Sequence, residues 1–145
     1  MTTITPFLWF DGNLQEAVSF YASVFKQSRI VSTNPMSATF EVEGQRFMGL
    51  NAGPHFKFNE AVSFFISVET QEEVDYYWEA LTADGGAAGQ CGWLKDKFGL
   101  SWQVIPEALG RLITDPDRIR AERAMGAMLK MQKIVIADLE LAAAS

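Results

Sequence analysis

The sequence predicts an α+β protein made of two β-α-β-β-β modules followed by C-terminal helices. Apolar residues recur at helical spacing twice, from Leu14 to Phe25 and from Val74 to Leu81, and short strand-like runs flank each helix. Residues 15–21 also match residues 71–77, which lie 56 positions later. One such unit buries little surface alone, so a duplicated unit is expected to pair with its copy.

The first module begins with a predicted strand, Ile4–Phe10, and a turn at Asp11-Gly12-Asn13. Asn13 and Glu16 have the spacing of a capping box at the start of the helix. Glu43-Gly44-Gln45 predicts the hairpin turn between the last two strands. The three strands predicted after the helix are Arg29–Thr33, Ala38–Glu43 and Arg46–Asn51.

The second module repeats this order with fewer clear strands. Val62–Val68 is its first predicted strand, and Thr70 with Glu73 predicts a capping box for its helix. The glycine-rich stretch Asp84–Gly89 breaks the chain after that helix. Two further strands, Gln90–Lys95 and Leu100–Ile105, are predicted beyond the break.

The last segment differs from both modules. Asp115 and Pro116 predict an N-cap and a first helical residue, and a final short helix is predicted from Ile136 to Ala143. The domain organisation is therefore a first module over residues 1–58, a second over 59–110 and a helical extension over 111–145, within one compact domain.

Composition excludes several classes of function. The net charge of −6 argues against a general nucleic-acid binder. The single histidine, His55, and the single cysteine, Cys91, exclude a His-pair metal site, a multi-cysteine zinc site and an intramolecular disulfide. No signal peptide is recognisable, and the longest apolar run, Ala61–Val68, is too short to cross a membrane. We therefore expect a soluble cytoplasmic protein with no nucleic-acid or membrane partner.

Four stretches of the chain carry more specific patterns. They are the Phe10–Phe25 segment with its Asp-Gly-Asn turn and Phe-Tyr pair, Gly53–Glu60, Gly89–Gly99 and Ser101–Gln103. Together they resemble the PhnB-like group of the glyoxalase/bleomycin resistance/vicinal oxygen chelate (VOC) superfamily. Members of that group often carry the label 3-demethylubiquinone-9 3-methyltransferase. The resemblance implies a glyoxalase-like fold, in which two modules form a curved, open mixed sheet around a bowl.

The resemblance also implies where a metal would sit. Metal-dependent members of the superfamily place His or Glu ligands on the first and last strands of each module. The matching positions here are Thr5, Met48, Ser63 and Gln103, none of which is His, Asp, Glu or Cys. A divalent ion needs several good ligands held together. We therefore expect no bound metal and no cofactor.

Strand alternation predicts which side chains line the bowl, because residues two apart share a face. The set is mostly apolar and aromatic, with a few hydroxyls and one amide, which suits a small, flat, partly apolar ligand. His55, in a predicted loop, is a further candidate and could serve as a general base. The predicted ligand-binding residues are Thr5, Phe7, Trp9, Met48, Leu50, Ser63, Phe65, Ser101, Gln103 and His55.

Two functions follow from these observations. In one, the protein binds a small aromatic or polar metabolite without chemistry. In the other, it is a metal- or base-dependent lyase, isomerase or dioxygenase of the VOC type, with catalytic residues that the sequence does not identify. A methyltransferase activity is not expected, because the glycines of residues 85–89 follow a helix and precede a strand, the wrong context for a methyl donor. By resemblance, a homodimer is expected.

Overall fold

The computed structural model describes all residues, 1–145, and they divide into two compact units, Met1–Phe58 and Asn59–Ser145. The second module and the C-terminal helices, which the sequence separates at residue 110, lie in the same unit. None of the helices combines the length and the apolar character needed to cross a membrane.

The first unit is a four-stranded mixed sheet with one helix. Its strand order is β1-β4-β3-β2, with β1 parallel to β4 and the other neighbours antiparallel. Tyr21 of the helix is 1% exposed and stacks on Phe40, so the helix covers one face of the sheet. The elements are β1 Phe7–Phe10, α1 Leu14–Val24, β2 Ser28–Thr33, β3 Ser37–Val42 and β4 Gln45–Asn51.

The second unit repeats this plan and adds three helices. Its strand order, β5-β8-β7-β6, is the same as in the first unit, with β5 parallel to β8. The predicted α+β class and the duplicated module are therefore confirmed. The elements are β5 Ser63–Val68, α2 Gln71–Thr82, β6 Ala87–Ala88, β7 Trp93–Lys95, β8 Ser101–Pro106, α3 Glu107–Ile113, α4 Arg118–Met128 and α5 Ile136–Ala144.

The two predicted helix starts turn out differently. Thr70 and Glu73 form the expected capping box at α2. The Thr70 side chain accepts from the Glu73 backbone N–H, and the Glu73 side chain accepts from the Thr70 backbone N–H. At α1 the prediction is wrong, because Asn13 makes no capping hydrogen bond through its side chain. The Leu14 N–H instead donates to Asn51 Oδ1 at 3.0 Å. A residue distant in sequence therefore satisfies this helix end.

Three further predictions need correction. The strand predicted from Ile4 begins at Phe7, and Ile4 itself is exposed. The strand predicted from Gln90 begins at Trp93, because Cys91 and Gly92 have positive φ and form a turn. The N-cap predicted at Asp115 is Asp117, whose carboxylate accepts from two N–H groups of α4.

The C-terminal helices pack on the second unit through a cluster of buried residues. Ile105 at the end of β8 joins side chains from α3, α4 and α5 in this cluster. Backbone hydrogen bonds reinforce the packing, since Cys91 N–H and Gly92 N–H donate to the carbonyls of Met131 and Gln132, both at 2.8 Å. The Gln71 side chain also bonds the backbone on either side of Val135, at Ile134 and Ile136.

Candidate ligand-binding site

Each sheet has an open face opposite the helix of its own module, and in the second unit the C-terminal helices cover one end of that face. In the first sheet this first open face contains Phe7, Trp9, Met48 and Leu50, because Phe7 pairs with Met48 and Trp9 with Leu50. Phe7 is 56% exposed and Met48 37% exposed. Thr5 precedes the strand and is half-buried. The strands thus bring four of the predicted ligand-binding residues of this unit onto one surface.

Trp9 is fixed at the edge of this face by the loop that follows β4. Its indole Nε1–H donates to the Gly53 carbonyl at 2.9 Å, and its ring meets Phe56 edge to face at 4.8 Å. The indole N–H is therefore already used, and Trp9 offers a ligand only its ring. His55 belongs to the same loop and its side chain is exposed.

The first open face becomes charged at its other end. Glu41 on β3 lies between Arg29 and Arg46, with ion pairs of 2.6 Å and 3.0 Å. The two guanidinium groups hold the pKa of the Glu41 carboxyl below its usual range, through hydrogen bonds first and charge second. This cluster was not predicted from the sequence, because only the strand register brings the three residues together.

The second open face contains Ser63 and Phe65 of β5 with Ser101 and Gln103 of β8. The parallel register pairs Ser63 with Ser101 and Phe65 with Gln103, and antiparallel pairing places Trp93 beside Gln103. The Gln103 side-chain N–H donates to Ser63 Oγ at 3.0 Å. Phe65 is 60% exposed. An amide and a hydroxyl are thus held next to an exposed aromatic ring.

One end of this face is covered. Ile105 continues the Ser101, Gln103 alternation along β8, and alternation alone would place it on the same open face. The structure places it in the buried cluster of the C-terminal helices, where it is 9% exposed. Ser101 is also buried, at 1% exposed, so Gln103 is the residue of β8 that remains accessible on this face.

A cavity of about 340 Å³ lies in the second unit, beside Ser101. Lys95 pairs with Ser101 and Ala87 pairs with Lys95, so the strand register accounts for part of its wall. Lys95 forms an ion pair with Glu60, and its ammonium holds the pKa of the Glu60 carboxyl below its usual range. The lining residues are Glu60, Ala87, Ala88, Gly89, Gln90, Trp93, Leu94, Lys95 and Ser101.

The hairpin that carries this wall is fixed by a buried carboxylate. Asp96 is 2% exposed, and its Oδ1 accepts from the N–H groups of Phe98 and Leu100 at 2.9 Å and 3.1 Å. Its Oδ2 accepts from Trp102 Nε1–H at 2.9 Å. Asp96 thereby sets the register in which Lys95 and Ser101 lie opposite each other.

The donor atoms of the two units do not fit a divalent metal ion. At the superfamily ligand positions the first unit offers Thr5 and Met48, while the second offers Ser63 and Gln103 already bonded to each other. Nowhere in the chain do three His, Cys, Asp or Glu side chains come close enough to hold a metal. A thioether, two hydroxyls and an amide are poor ligands for a hard cation.

A family model described as 3-demethylubiquinone-9 3-methyltransferase matches residues 2–105. The chain belongs to this family. The PhnB protein from Bacillus cereus is 35% identical and superposes with a TM-score of 0.66, over 72% of this chain and 99% of that one. The predicted membership of the PhnB-like group within the VOC superfamily is therefore confirmed. A search of curated proteins found no similar sequence.

Two more distant structures show the shared glyoxalase-like fold alone. The fosfomycin resistance protein FosX from Listeria monocytogenes, in complex with Mn(II) and sulfate, is 13% identical with a TM-score of 0.56, over 73% of this chain and 90% of that one. A glyoxalase-related enzyme from Fulvimarina pelagi is 14% identical with a TM-score of 0.52, over 72% of this chain and 87% of that one. Helices α3–α5 lie beyond the family match, which ends at residue 105.

The family name implies a methyl donor, and this chain's glycines do not fit one. A nucleoside-type donor normally sits on a glycine-rich turn between a strand and a helix of a doubly wound sheet. Gly86 and Gly89 follow α2, and a Cβ at either would meet backbone atoms at 2.6 Å and 2.8 Å. These glycines therefore serve close packing within the chain itself.

Sequence reasoning missed the cavity residues Trp93 and Lys95. Both lie on the second open face because Lys95 pairs with Ser101 across the turn at residues 96–100. The signal was present, since Asp96 and Gly99 mark that turn and alternation on β7 could have been counted back from Ser101.

Proposed function

We propose that this protein binds a small, partly aromatic metabolite on its open sheet faces and needs no resident metal ion. One observation carries the proposal. Phe7 and Phe65 lie at corresponding positions on the first strand of each module and are 56% and 60% exposed. Removing one such side chain from water contributes about 1.5–3 kcal/mol of favourable free energy. The two exposed phenylalanines therefore favour binding of a molecule that covers them.

Polar groups beside these rings would orient the ligand. Gln103 is held through its N–H by Ser63, which leaves its side-chain carbonyl oxygen available to accept a hydrogen bond. Thr5 would add a hydroxyl contact in its own unit, whereas Ser101 is 1% exposed and its hydroxyl is not available to a ligand. A mostly apolar surface with a few fixed polar atoms is the usual composition of a small-molecule site.

The alternative is a metal- or base-dependent enzyme of the VOC type, of the lyase, isomerase or dioxygenase class. His55 favours the base-dependent form, because its exposed side chain belongs to the loop that Trp9 anchors at the edge of the first open face. A methyltransferase activity is not part of the proposal, since the glycines do not fit the donor.

Ligand binding can be tested by screening aromatic metabolites against the purified protein with ligand-observed NMR. We expect Gln103→Ala to weaken binding of any hit, since it removes both the hydrogen bond to Ser63 and the free carbonyl. Gln45→Ala is the matched control, because that exposed glutamine bonds only the Arg46 carbonyl. Equal binding by both variants and the original protein would refute a role for the second open face.

Metal analysis separates the two candidate functions. A stoichiometric divalent ion that survives dialysis would support the metal enzyme and contradict our proposal. If turnover of a hit is found without metal and is lost in His55→Ala, the base-dependent enzyme is supported instead.

We further propose a cytoplasmic homodimer. The exposed open faces and the edge strands β2 and β6 give a second copy suitable apolar and hydrogen-bonding surface. Light scattering after size exclusion measures this directly, and a monomer at micromolar concentration would contradict it.

A further inference from the structure

The charged end of the first open face has more positive than negative charge. The strands of the first sheet contain three charged residues, Arg29, Glu41 and Arg46. Their register places Glu41 beside both arginines, on the face opposite α1. The arginines hold the pKa of the Glu41 carboxyl below its usual range, so this carboxyl is ionised at neutral pH. The charge of one guanidinium group is therefore uncompensated.

The two arginines also have N–H groups that the protein does not use. Arg29 donates to Glu41 through Nε alone, at 2.6 Å, so both of its terminal amino groups make no hydrogen bond. Arg46 uses Nε and one amino group on the same carboxylate, at 3.2 Å and 3.0 Å, which leaves its second amino group. The two arginine side chains are 64% and 45% exposed, so an anion in solution can reach these donors.

The rest of the first unit does not oppose an anion. Residues 1–58 contain four basic and four acidic side chains, so their net charge is zero. Residues 59–145 contain eight basic and fourteen acidic side chains and therefore carry the whole net charge of −6. An anion at the two arginines thus meets a local positive charge without general repulsion from its own unit.

Exposed apolar side chains lie directly beside the arginines. Met48 follows Arg46 by two residues on β4, so their Cα atoms lie about 7 Å apart along the same face. Phe7 pairs with Met48 on the neighbouring strand. The two apolar side chains are 56% and 37% exposed. A ring packed on Phe7 and Met48 would therefore place a substituent next to Arg46.

We propose that the first open face binds an aromatic carboxylate, with its ring on Phe7 and Met48 and its carboxylate at Arg46. The inference rests on the proposed function, since it names the ligand class for this face. The uncompensated positive charge matches one carboxylate, and the exposed apolar surface matches one small ring. Glu41 competes with the ligand for Arg46, and Arg29 reduces that competition because it binds the other oxygen of Glu41.

The experiment compares benzoate with benzamide, which has the same ring and a similar shape but no charge. Dissociation constants are measured by NMR shift titration on the full chain. We expect benzoate to bind more tightly than benzamide, and Arg46→Gln to weaken benzoate binding by roughly three- to tenfold while leaving benzamide unchanged. Added salt should weaken benzoate binding alone. Arg111→Gln is the control, because it removes the same charge from an exposed arginine of α3 in the second unit.

Two further variants separate the charge from the ring contact. Glu41→Gln removes the competing carboxylate, so it should strengthen benzoate binding and leave benzamide unchanged. Phe7→Ala should weaken both probes, because both use the ring contact. The inference is overturned if benzoate binds no more tightly than benzamide, if Glu41→Gln does not strengthen benzoate binding, or if Arg46→Gln and Arg111→Gln have the same effect. Weaker binding of both probes by Phe7→Ala would then leave the proposed function standing and reject only the carboxylate.

Discussion

Replacement of Asp96 should show how strongly one carboxylate stabilises the second unit. Asp96→Ala removes the acceptor for three donors, of which Leu100 N–H and Trp102 Nε1–H are buried and Phe98 N–H is partly buried. Each buried donor left unpaired costs about 1–3 kcal/mol. Part of this loss is offset, because the variant no longer buries a charged carboxylate. We expect the free energy of unfolding to fall by about 3 kcal/mol.

Urea unfolding measured at the Trp102 indole N–H resonance follows the second unit alone. Asp96→Asn should cost less, about 1–2 kcal/mol, because one oxygen still accepts while the new NH₂ group faces the indole donor. Asp117→Ala is the surface comparison, since that carboxylate also bonds two backbone N–H groups but in solvent, as an ordinary N-cap.

The reasoning would be refuted if Asp96→Ala stayed within about 0.5 kcal/mol of the original protein, the range of neutral surface changes. It would also fail if Asp117→Ala were the more damaging substitution.

Three further outcomes are expected. Thr70→Ala should destabilise the second unit by about 1 kcal/mol in urea unfolding, since it removes the capping box of α2. Gly49→Ala should destabilise the first unit by about 1–3 kcal/mol, because the new Cβ would lie 2.7 Å from buried Leu14 and 3.3 Å from a backbone oxygen. Arg29→Gln should raise the pKa of Glu41 toward its ordinary value in a carboxyl ¹³C NMR titration.

Each of these has a contrary result. Asn13→Ala, at a position without a capping bond, is the control for Thr70, and equal losses would contradict the capping argument. If Gly49→Ala left the free energy of unfolding unchanged, α1 would have to move away from the sheet at no energetic cost. The ion pairs of Glu41 stabilise the fold above the unfolded pKa of that carboxyl and are lost as pH falls through its lowered folded pKa. In Arg29→Gln this loss should begin at higher pH, and an unchanged titration would contradict the assigned cause.

Local patterns predicted the repeated architecture well. The helix of each module follows from apolar spacing, and the Thr70–Glu73 box depends on residues three apart, so both were visible in the sequence. The turn at Glu43-Gly44 was also predictable, because a two-residue hairpin requires positive φ and glycine adopts it readily. In the structure both residues have positive φ.

The errors came from contacts between distant residues. Asn51 replaces Asn13 as the partner of the α1 N-terminus, and no local rule reports a bond across 37 positions. Ile105 has the alternation of an open-face residue, but helices later in the chain cover it. The Arg29–Glu41–Arg46 cluster and the cavity likewise depend on strand register, which the sequence pattern determines only in part.

The docking of the C-terminal helices changes what counts as the smallest foldable piece. A chain cut after residue 110 would keep the complete repeat but expose Ile105 and remove the acceptors for Cys91 N–H and Gly92 N–H. That turn continues into the cavity wall at Gly89 and Gln90. Residues 59–145 of this chain should therefore be transferred as one block, since the repeat boundary in the sequence is not a boundary of stability.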